Sequence, residues 1–586
     1  MKSCLRFRVS VIRRVEFLRF NGETTILHQQ HATKVDQPEL DQALDELAET
    51  SRSGAGLSVA RRIELTAQCL SCLSQAARDW ADLACEAKRI PRESTTCAEE
   101  VLAGPVSVAR FLRVLLTSLK AIQAAGRPRL PGSPIAKPGA PLRVPVFPTA
   151  GIYDSLVFFG LSAEAWLREE ISAENLFDLT GFEPAETKAS PLTLVLGAGN
   201  VSAIPATDVL TKVLQDGERV LLKMNPVNAY LKPVFERSFA PLITAGLLRI
   251  VDGGAAAGAY LVDHAAIDRI HITGSTQTHD AIVWGSDPEE CRTRKASHQP
   301  RLQIPVTSEL GNVSPWIVVP GKYSERQLQF QAENIAASIV NNASFNCLAT
   351  KVIVTSADWP DRDRFMTMIE QKLQQIPRRY AYYPGAAERW RRFAGSDPDD
   401  SEYLPWKLMR DTDPAQSPQL FQEESFVCVC AETALQAASA AEFLEQAVEF
   451  VNRDVWGTLC ATMTVPADFR KSEQATLERC IGKLKYGAVG INHWPALNYA
   501  FMSTPWGGAP GATLQDVVSG MGNVHNTYFL AGVEKTVLSG PLTLFPQPVW
   551  FPSHPNPEAV GWRLLDLYTN PSLGNLLRTG LTVALK

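Results

Sequence analysis

The 586-residue chain has no cysteine framework, no excess of charge of one sign and no low-complexity segment. Its 11 cysteines are odd in number and irregular in spacing, which excludes a small disulfide-stapled secreted domain and indicates a reducing compartment. The net charge of -5 provides no basic field, so nucleic acid is not an expected partner. No apolar run reaches membrane-spanning length, so we expect no membrane span. These absences favour a globular, cytoplasmic protein.

The first twenty residues are a basic exception to this composition. The peptide MKSCLRFRVSVIRRVEFLRF carries several Lys and Arg residues against the single acid Glu16. An amphipathic organelle-targeting peptide is therefore an alternative to a cytoplasmic location, although hydroxyl residues are few and the long apolar core of a signal peptide is missing. We treat residues 1–36 as an N-terminal extension of uncertain role.

The patterns along the rest of the chain predict an α/β protein of two or three domains. Over residues 37–123, apolar residues recur at threes and fours, which is typical of amphipathic helices. Residues 124–150 are rich in Pro and Gly, which predicts an irregular connector with short strands. Strand and helix patterns then alternate over 192–276 and again from Val306, so we expect parallel sheets with helices on their faces. Such sheets bind ligands at the carboxyl ends of their strands.

Three residues are candidates for catalysis. Cys347 lies in NNASFNCLATKVIVT, on a turn before a β-branched strand pattern. A thiolate there could attack a carbonyl carbon and leave again afterwards. Glu309, in TSELGNVSP, could be a general base if it is partly desolvated, and is otherwise a solvated surface carboxylate. Asn200, in GAGNVSAIPA, could donate its amide to a developing oxyanion, or is simply a turn residue.

A second group of residues suits a nucleotide. Lys223 ends the strand pattern RVLLK, where it could meet a ribose or a phosphate. Gly254 and Gly258, in VDGGAAAGAYLVDH, allow close backbone approach at the start of a helix. Gly274 and Ser275, in ITGST, form a turn whose following helix N-terminus could bind phosphate oxygens. Neither glycine passage is a G-x-G-x-x-G motif.

The peptide FQEESF precedes a further strand pattern and offers Glu423 and Glu424. A carboxylate pair there could hold a ribose diol, and the alternative is a solvated turn. No metal site is predicted.

The order and spacing of these motifs resemble the aldehyde dehydrogenase superfamily over roughly residues 40–540. GAGN stands at the family's Pro-Trp-Asn turn, LLK at its nucleotide-binding lysine, GGAAAG at its glycine passage and ITGST at its Phe-Thr-Gly-Ser-Thr. ELGNVSP resembles Glu-Leu-Gly-Gly-Lys-Ser-Pro, NCLATKVIV resembles the catalytic-cysteine stretch, and EESF resembles Glu-Glu-Ile-Phe. GAVGINHWPALNYAFMSTPWGG and GVEKTVL resemble the closing signatures. The chain looks like a divergent member of this family.

The resemblance implies the oxidation of a small-molecule aldehyde with NAD or NADP. In this interpretation Cys347 attacks the aldehyde, and Asn200 with the backbone N–H of Cys347 holds the oxyanion. Glu309 activates the water that hydrolyses the thioester. Glu424 and Phe426 meet the nicotinamide riboside, and Lys223 meets the nucleotide.

The resemblance also implies a domain plan: a Rossmann-type nucleotide-binding domain, an α/β catalytic domain and a small β oligomerisation element. The predicted bounds are 37–305 for the NAD(P)-binding domain with bridging strands from 124–150, 306–500 for the catalytic domain, 501–540 for a return segment with the oligomerisation strand, and 541–586 for a C-terminal extension. GVEKTVL would form an exposed strand that pairs with another subunit, because a long apolar edge strand is otherwise an aggregation liability. We therefore expect a homodimer or a homotetramer.

Departures from the family pattern leave alternatives open. Pro226 stands where most members carry the acid that holds the adenosine ribose 2′-hydroxyl, so NAD and NADP are both possible. A proline there is also typical of the coenzyme-A-acylating branch, although that branch generally lacks the base that Glu309 provides. A catalytically silent nucleotide-binding relative is a third alternative, against which the joint presence of the functional residues argues. The stretch near 285–305 is predicted to be a surface insertion.

Four aromatic residues are candidates for the walls of a substrate pocket: Trp494, Tyr499, Phe501 and Phe345. If they line it, the aldehyde is apolar or aromatic. The alternative is ordinary core packing.

Overall fold

The computed structural model describes residues 37–51, 57–182 and 190–584. The N-terminal extension predicted for residues 1–36 lies outside the described residues. Two β-sheets carry the functional motifs, and helices cover the sheets.

The strands are numbered in chain order. They are β1 Arg143–Phe147, β2 Ser162–Leu167, β3 Leu192–Leu196, β4 Arg219–Lys223, β5 Leu248–Val251, β6 Arg269–Thr273, β7 Val306–Glu309, β8 Ser314–Val318, β9 Thr350–Ser356, β10 Lys407–Met409, β11 Val429–Leu435, β12 Cys460–Thr464, β13 Ala488–Ile491, β14 Gly520–Met521 and β15 Val533–Ser539.

The first sheet has the order β14-β7-β6-β3-β4-β5, and all of its neighbouring pairs except β14–β7 are parallel. Strands β3 and β4 are almost wholly buried and read as continuous apolar runs, as expected for a parallel sheet covered on both faces. Lys223 and Glu309 are the last residues of β4 and β7. The candidate residues of this sheet therefore gather at its carboxyl edge, as the sequence predicts.

The second sheet has the order β1-β2-β15-β13-β12-β8-β9-β11-β10. Strand β15 contains all of GVEKTVL except its first residue, Gly532, and lies inside this sheet, antiparallel to β2 and parallel to β13. Both of its edges are hydrogen-bonded within the chain. The prediction that this strand is exposed and pairs with another subunit is therefore wrong, because it has no free edge to offer. The number of chains in the assembly stays a prediction.

The α-helices are also numbered in chain order. They are α1 Gln37–Ser51, α2 Val59–Ala87, α3 Cys97–Val101, α4 Ser107–Ala125, α5 Asp154–Val157, α6 Ala203–Leu210, α7 Lys232–Ser238, α8 Ala240–Thr244, α9 Ala255–Val262, α10 Thr276–Val283, α11 Pro288–Ser297, α12 Glu325–Val340, α13 Arg362–Gln375, α14 Ala386–Ala394, α15 Gln419–Gln422, α16 Ala440–Arg453, α17 Ala467–Ser472, α18 Gln474–Lys483, α19 Ala496–Phe501, α20 Pro557–Thr569 and α21 Leu573–Ala584.

The N-terminal helices form a layer that packs on the first sheet and on the C-terminal helices. Helix α2 begins at Ser58, whose hydroxyl accepts a hydrogen bond from the backbone N–H of Arg61, and α4 ends at Gly126 in the left-handed conformation. Helix α20 packs against α3 and α4. The C-terminal extension is thus part of the core.

One stretch of the described residues, Cys97–Ala125, is long and apolar enough to cross a membrane by length and composition. The expectation that no run reaches this length is therefore wrong for this stretch. In the folded chain, 78% of its most apolar window is buried against other parts of the protein. That burial is what a core helix of a folded domain requires.

Candidate active site

A cleft of about 1260 Å³ lies at the carboxyl edge of the first sheet, where this edge faces the turns that precede β9 and β11. Its volume is large for a small-molecule site and suits a long ligand. Nine of the predicted site residues line it: Asn200, Lys223, Gly258, Gly274, Ser275, Glu309, Cys347, Glu424 and Phe426. The fold therefore brings together residues that are far apart in the sequence.

Gly254 is the predicted residue that does not line the cleft. It precedes α9, and a Cβ built on it meets no atom within 4 Å. No close approach therefore requires glycine there. Gly258, one turn further along the helix, does line the cleft. A Cβ built on Gly258 would lie 3.8 Å from the side chain of Lys223.

Cys347 lies on the turn between α12 and β9. Its carbonyl oxygen accepts a 2.8 Å hydrogen bond from the hydroxyl of Ser314, which begins β8. The neighbouring turn is closed by the backbone N–H of Leu348, which donates to Oδ1 of Asn346 over 3.0 Å. Burial raises the pKa of the Cys347 thiol well above its usual range, and the nearby Glu309 carboxyl raises it further. Cys347 is thus held as a thiol, and it would need a base in order to act as a nucleophile.

The turn before Cys347 contains three consecutive residues with left-handed backbone. Asn342, Ala343 and Ser344 have φ values of 53°, 53° and 67°. Such a conformation costs about 1–2 kcal/mol for each residue that is not glycine, so tertiary contacts must hold it. The buried Lys351 ammonium donates to the carbonyl oxygen of Ser344 over 3.2 Å, to its hydroxyl over 2.8 Å and to the carbonyl of Val427 over 3.0 Å.

Asn200 follows β3 and is buried, with its side chain at the cleft wall. Its Nδ2 donates a 3.1 Å hydrogen bond to the carbonyl oxygen of Phe345. An amide nitrogen carries two hydrogens. One hydrogen is therefore donated to the turn before Cys347, and the other is available to a ligand oxygen.

Glu309 is buried at the end of β7. Its Oε1 accepts a 2.7 Å hydrogen bond from the indole of Trp506, while Oε2 has no hydrogen-bond partner among the described residues. Burial raises the pKa of this carboxyl to about 8, the charge of Asp208 adds to the rise, and the bond from Trp506 opposes it. A carboxyl with a pKa near neutrality can both take and return a proton, as a general base must.

Glu424 and Phe426 precede β11 at the same cleft. Oε1 of Glu424 accepts a 3.2 Å hydrogen bond from the backbone N–H of Asn312. A Cβ built on Gly311 would lie 2.1 Å from the other carboxylate oxygen, so only glycine fits beside this acid. Burial raises the pKa of Glu424 to about 7, against the charge of Lys351. Phe426 has a φ of 46°.

Another part of the cleft lining suits phosphate and ribose groups. Burial lowers the pKa of Lys223 to about 8, and the charge of Asp252 opposes that shift. Gly274, Ser275 and Thr276 line the cleft at the start of α10, where backbone N–H groups point outward from the helix N-terminus. The donor set therefore fits a dinucleotide, with a cation and a helix end for the phosphates and the Glu424 carboxylate for ribose hydroxyls.

Two arginines of α14, Arg389 and Arg392, also line the cleft and were missed in the sequence. Arg392 forms an ion pair with Glu423, and Nε and Nη2 of Arg389 are buried without a hydrogen-bond partner among the described residues. The two arginines are three positions apart, so they share one face of the helix. That spacing in AERWRRF was the available signal.

The four aromatic residues proposed as pocket walls are buried and lie outside the lining of the cleft. The indole of Trp494 donates to the carbonyl of Leu348 over 2.8 Å, and Phe501 stacks on Phe147 with ring centroids 3.6 Å apart. Packing in the core accounts for them.

Comparison with known proteins shows similarity to one family over the part of the chain that contains this site. The model of the aldehyde dehydrogenase family matches residues 200–380, a range that contains Asn200, Lys223, Glu309 and Cys347. Alpha-ketoglutaric semialdehyde dehydrogenase 2 from Azospirillum brasilense is 28% identical over 155 residues. That alignment covers 26% of this chain and 26% of the relative, so the chain matches about a quarter of that relative's length.

Solved structures of the family have the same fold. Betaine aldehyde dehydrogenase from Staphylococcus aureus, in complex with NAD+, matches 87% of this chain and 90% of its own, with a TM-score of 0.57 and 16% identity. NADP-dependent glyceraldehyde-3-phosphate dehydrogenase from Bacillus halodurans C-125, complexed with NADP, matches 86% of this chain and 91% of its own, with a TM-score of 0.54 and 16% identity. At these identities the likeness is one of fold.

Proposed function

We propose that the chain is a member of the aldehyde dehydrogenase superfamily, to which its sequence and fold are similar, and that it oxidises a small-molecule aldehyde to a carboxylic acid with NAD or NADP. The observation that carries this proposal is that Cys347, Asn200 and Glu309 line one cleft together with Lys223. A nucleophile, an amide donor and a base next to a dinucleotide-shaped site are the parts that the reaction requires.

The first step uses the nucleophile turn. The Cys347 sulfur bonds to the aldehyde carbon, the thiol proton passes to the Glu309 carboxylate, and the carbonyl oxygen becomes an oxyanion. The free amide hydrogen of Asn200 and the backbone N–H of Cys347 donate to that oxygen. Donors that are already oriented stabilise charge as it develops, without reorganisation in the transition state.

Lys223 and the start of α10 would hold the phosphates and ribose of the dinucleotide, and Glu424 the nicotinamide ribose. The bound nicotinamide supplies the hydride acceptor. The chain's own residues then complete the cycle by hydrolysis of the acyl thioester on Cys347. Glu309 first releases to solvent the proton that it took from the thiol. The ionised carboxylate then takes a proton from water, the water oxygen bonds to the acyl carbon, and the carbon–sulfur bond breaks to release the acid and the thiolate, which takes back the proton held by Glu309.

The choice between NAD and NADP is part of the proposal. Pro226 opens a short helical turn after β4, and the side chain of Asn225 caps this turn by accepting a 3.0 Å hydrogen bond from the backbone N–H of Val227. No carboxylate occupies this position to repel a 2′-phosphate, so both cofactors are candidates. Pro226 also supports a second candidate function, a coenzyme-A-acylating dehydrogenase, in which a thiol of coenzyme A replaces water. The buried Glu309 favours water.

The test is turnover followed by the absorbance of reduced nicotinamide. A panel of aldehydes is offered with NAD or NADP, with and without coenzyme A, to the wild type, to Cys347→Ala and to Cys291→Ala as the matched cysteine control. Turnover without coenzyme A that is lost only in Cys347→Ala supports the proposal. Turnover only with coenzyme A assigns the acylating branch. Nucleotide binding without turnover assigns a silent relative. The cytoplasmic location and a homo-oligomeric state stay predictions from the sequence.

A further inference from the structure

A buried lysine lies against the backbone of Asn200 and outside the lining of the cleft. The Lys88 ammonium is 2.7 Å from Oε1 of Glu100, 3.2 Å from the carbonyl oxygen of Asn200 and 2.9 Å from Oδ1 of Asn342. Lys88 and Glu100 are 5% and 3% exposed, and neither of them lines the cleft. The ion pair therefore reaches the site through other residues.

Three donors converge on the carbonyl oxygen of Asn200. They are the Lys88 ammonium at 3.2 Å, the hydroxyl of Tyr382 at 2.9 Å and Nδ2 of Asn342 at 3.2 Å. A carbonyl oxygen has two lone pairs, so three donors saturate it and fix the orientation of its peptide. The side chain of Asn200 starts from that same residue, and its amide position is fixed with it.

The same network holds the nucleophile turn. Oδ1 of Asn342 accepts from Lys88 and lies 3.0 Å from the hydroxyl of Tyr382, whose single hydrogen it shares with the Asn200 carbonyl, while its Nδ2 donates to the carbonyl of Phe345 over 2.9 Å. The backbone N–H of Asn342 donates over 2.9 Å to the carboxylate of Glu99. Asn342 is the first of the three left-handed residues before the thiol. One ammonium thus contacts both the oxyanion donor and the turn that carries the nucleophile.

We propose that Lys88, with Glu100 and Tyr382, is a positioning residue for the oxyanion site. It sets the distance between the amide of Asn200 and the sulfur of Cys347, so that both reach one carbonyl group of the substrate. The charge of Glu100 neutralises the ammonium, so the pair acts by orientation and leaves little net field at the cleft. The inference rests on the proposed function.

The physical cost of this pair argues against a purely structural role. Two charges out of water are expensive to bury, and apolar side chains of similar volume often replace such pairs without loss of stability. Removal of only one partner is harmful, because the other charge stays buried and unpaired. The informative variant therefore neutralises both residues at once, as Lys88→Met with Glu100→Gln.

A second variant is gentler. Tyr382→Phe removes the one hydroxyl hydrogen that the Asn200 carbonyl and Oδ1 of Asn342 share, and keeps the ring and both charges. This variant can test the inference even if the neutralised pair fails to fold. The matched control is Lys535→Met, since Lys535 is also a buried lysine and donates to the carbonyls of Ile481, Gly482 and Leu484 over 3.2, 2.9 and 2.6 Å, in contact with no site residue.

The kinetic readout separates positioning from stability. In the neutralised pair we expect kcat to fall by about tenfold, with the aldehyde KM and the nucleotide Kd within about twofold of wild type. In Tyr382→Phe we expect a loss of about threefold in kcat. Either change combined with Asn200→Ala should cost little more than Asn200→Ala alone, because the positioned amide is gone. Losses that multiply in the combined variants, or a kcat within about twofold of wild type, would overturn the inference.

A readout without turnover keeps this inference separate from the proposed function. Cys347 is alkylated with iodoacetamide near pH 8 in the absence of substrate and nucleotide, and the modified peptide is quantified by mass spectrometry. A loosened turn exposes the half-buried thiol further, so the alkylation rate should rise by about threefold or more in the neutralised pair and in Tyr382→Phe, and stay at the wild-type value in Lys535→Met. If the alkylation rate rises in these variants but the protein oxidises no aldehyde, the positioning role is supported and the proposed function is rejected. Unchanged rates in both variants overturn the inference.

Discussion

The indole nitrogen of Trp506 donates a 2.7 Å hydrogen bond to Oε1 of Glu309. Both residues are buried, and the second carboxylate oxygen of Glu309 has no hydrogen-bond partner among the described residues. One oxygen is thus anchored, and the other remains for a water molecule. The bond also stabilises the ionised carboxylate, and this effect opposes the rise in pKa that burial causes.

Removal of that bond should move the pH dependence to higher pH. In Trp506→Phe the ionised form of Glu309 loses a donor, so its pKa should rise above the wild-type value of about 8. A hydrogen bond to a charged group corresponds to a shift of about one pH unit. Since the base acts in its ionised form, the rate of thioester hydrolysis near neutral pH should fall. The measurement is the pH profile of steady-state turnover.

The control for this change is Trp316→Phe, which removes another buried indole hydrogen bond, the 2.8 Å bond to the hydroxyl of Thr464. Its pH midpoint should equal that of wild type. A midpoint that moves to lower pH in Trp506→Phe would contradict the role of the indole.

A change at Asp208 should have the opposite sign. The carboxylate of Asp208 raises the pKa of Glu309 through repulsion between like charges. Asp208→Asn removes that charge and keeps the shape, so the midpoint of the hydrolysis profile should move to lower pH by several tenths of a unit. The rate near neutral pH should then rise, provided that hydrolysis limits turnover. No shift, measured beside Trp506→Phe on the same substrate, would show that the two carboxyls do not interact.

Nucleotide affinity should depend on the ionisation of Glu424. Burial raises its pKa to about 7, so the carboxylate that we propose as the acceptor for ribose hydroxyls is only partly ionised below neutral pH. Affinity should therefore increase as pH rises through about 7. Glu424→Gln should weaken binding and abolish this increase, and Glu423→Gln should keep it, since Glu423 is exposed and paired with Arg392. Quenching of tryptophan fluorescence by the nucleotide, measured across the pH range, gives the Kd of the wild type and of each variant. A Kd that does not depend on pH in the wild type would reject the role of Glu424 in nucleotide binding.

The C-terminal extension should contribute to stability through Arg110. The guanidinium forms a bidentate pair with Asp154 at 2.8 and 2.7 Å, and it donates to the hydroxyl of Tyr568 in α20 over 3.1 Å and to the carbonyl of Phe501 over 2.8 Å. Arg110→Met leaves Asp154 buried and unpaired, so the free energy of unfolding should fall by about 3 kcal/mol.

Denaturant unfolding measures the effect at Arg110, and Arg453→Met is the control. Arg453 is exposed and forms surface ion pairs with Glu449 and Asp454, so its removal should leave the unfolding midpoint unchanged. Equal midpoints for Arg110→Met and wild type would mean that the buried pair adds nothing to stability.

The sequence by itself determined the class of fold and most of the candidate site. Periods of apolar residues and turn residues are local signals, and they predict the strand that precedes Asn200, the strand that ends at Lys223 and the strand that precedes Gly274. Because the carboxyl ends of parallel strands share one edge, the order of these strands was enough to expect that their side chains meet. The placement of Cys347 on a turn before a buried strand followed from the same local pattern.

Only the tertiary structure decided the rest, because it depends on contacts between distant segments. The sequence around Lys88 does not distinguish a buried lysine from a solvated one. The sequence around Trp506 likewise does not indicate that its indole contacts Glu309. The pKa of Glu309 is set by desolvation, which exists only after packing. The sequence of strand β15 likewise resembles that of an oligomerisation strand. The local sequence does not specify which strands β15 pairs with. Its pairing with β2 and β13 is set by the assembly of the whole sheet.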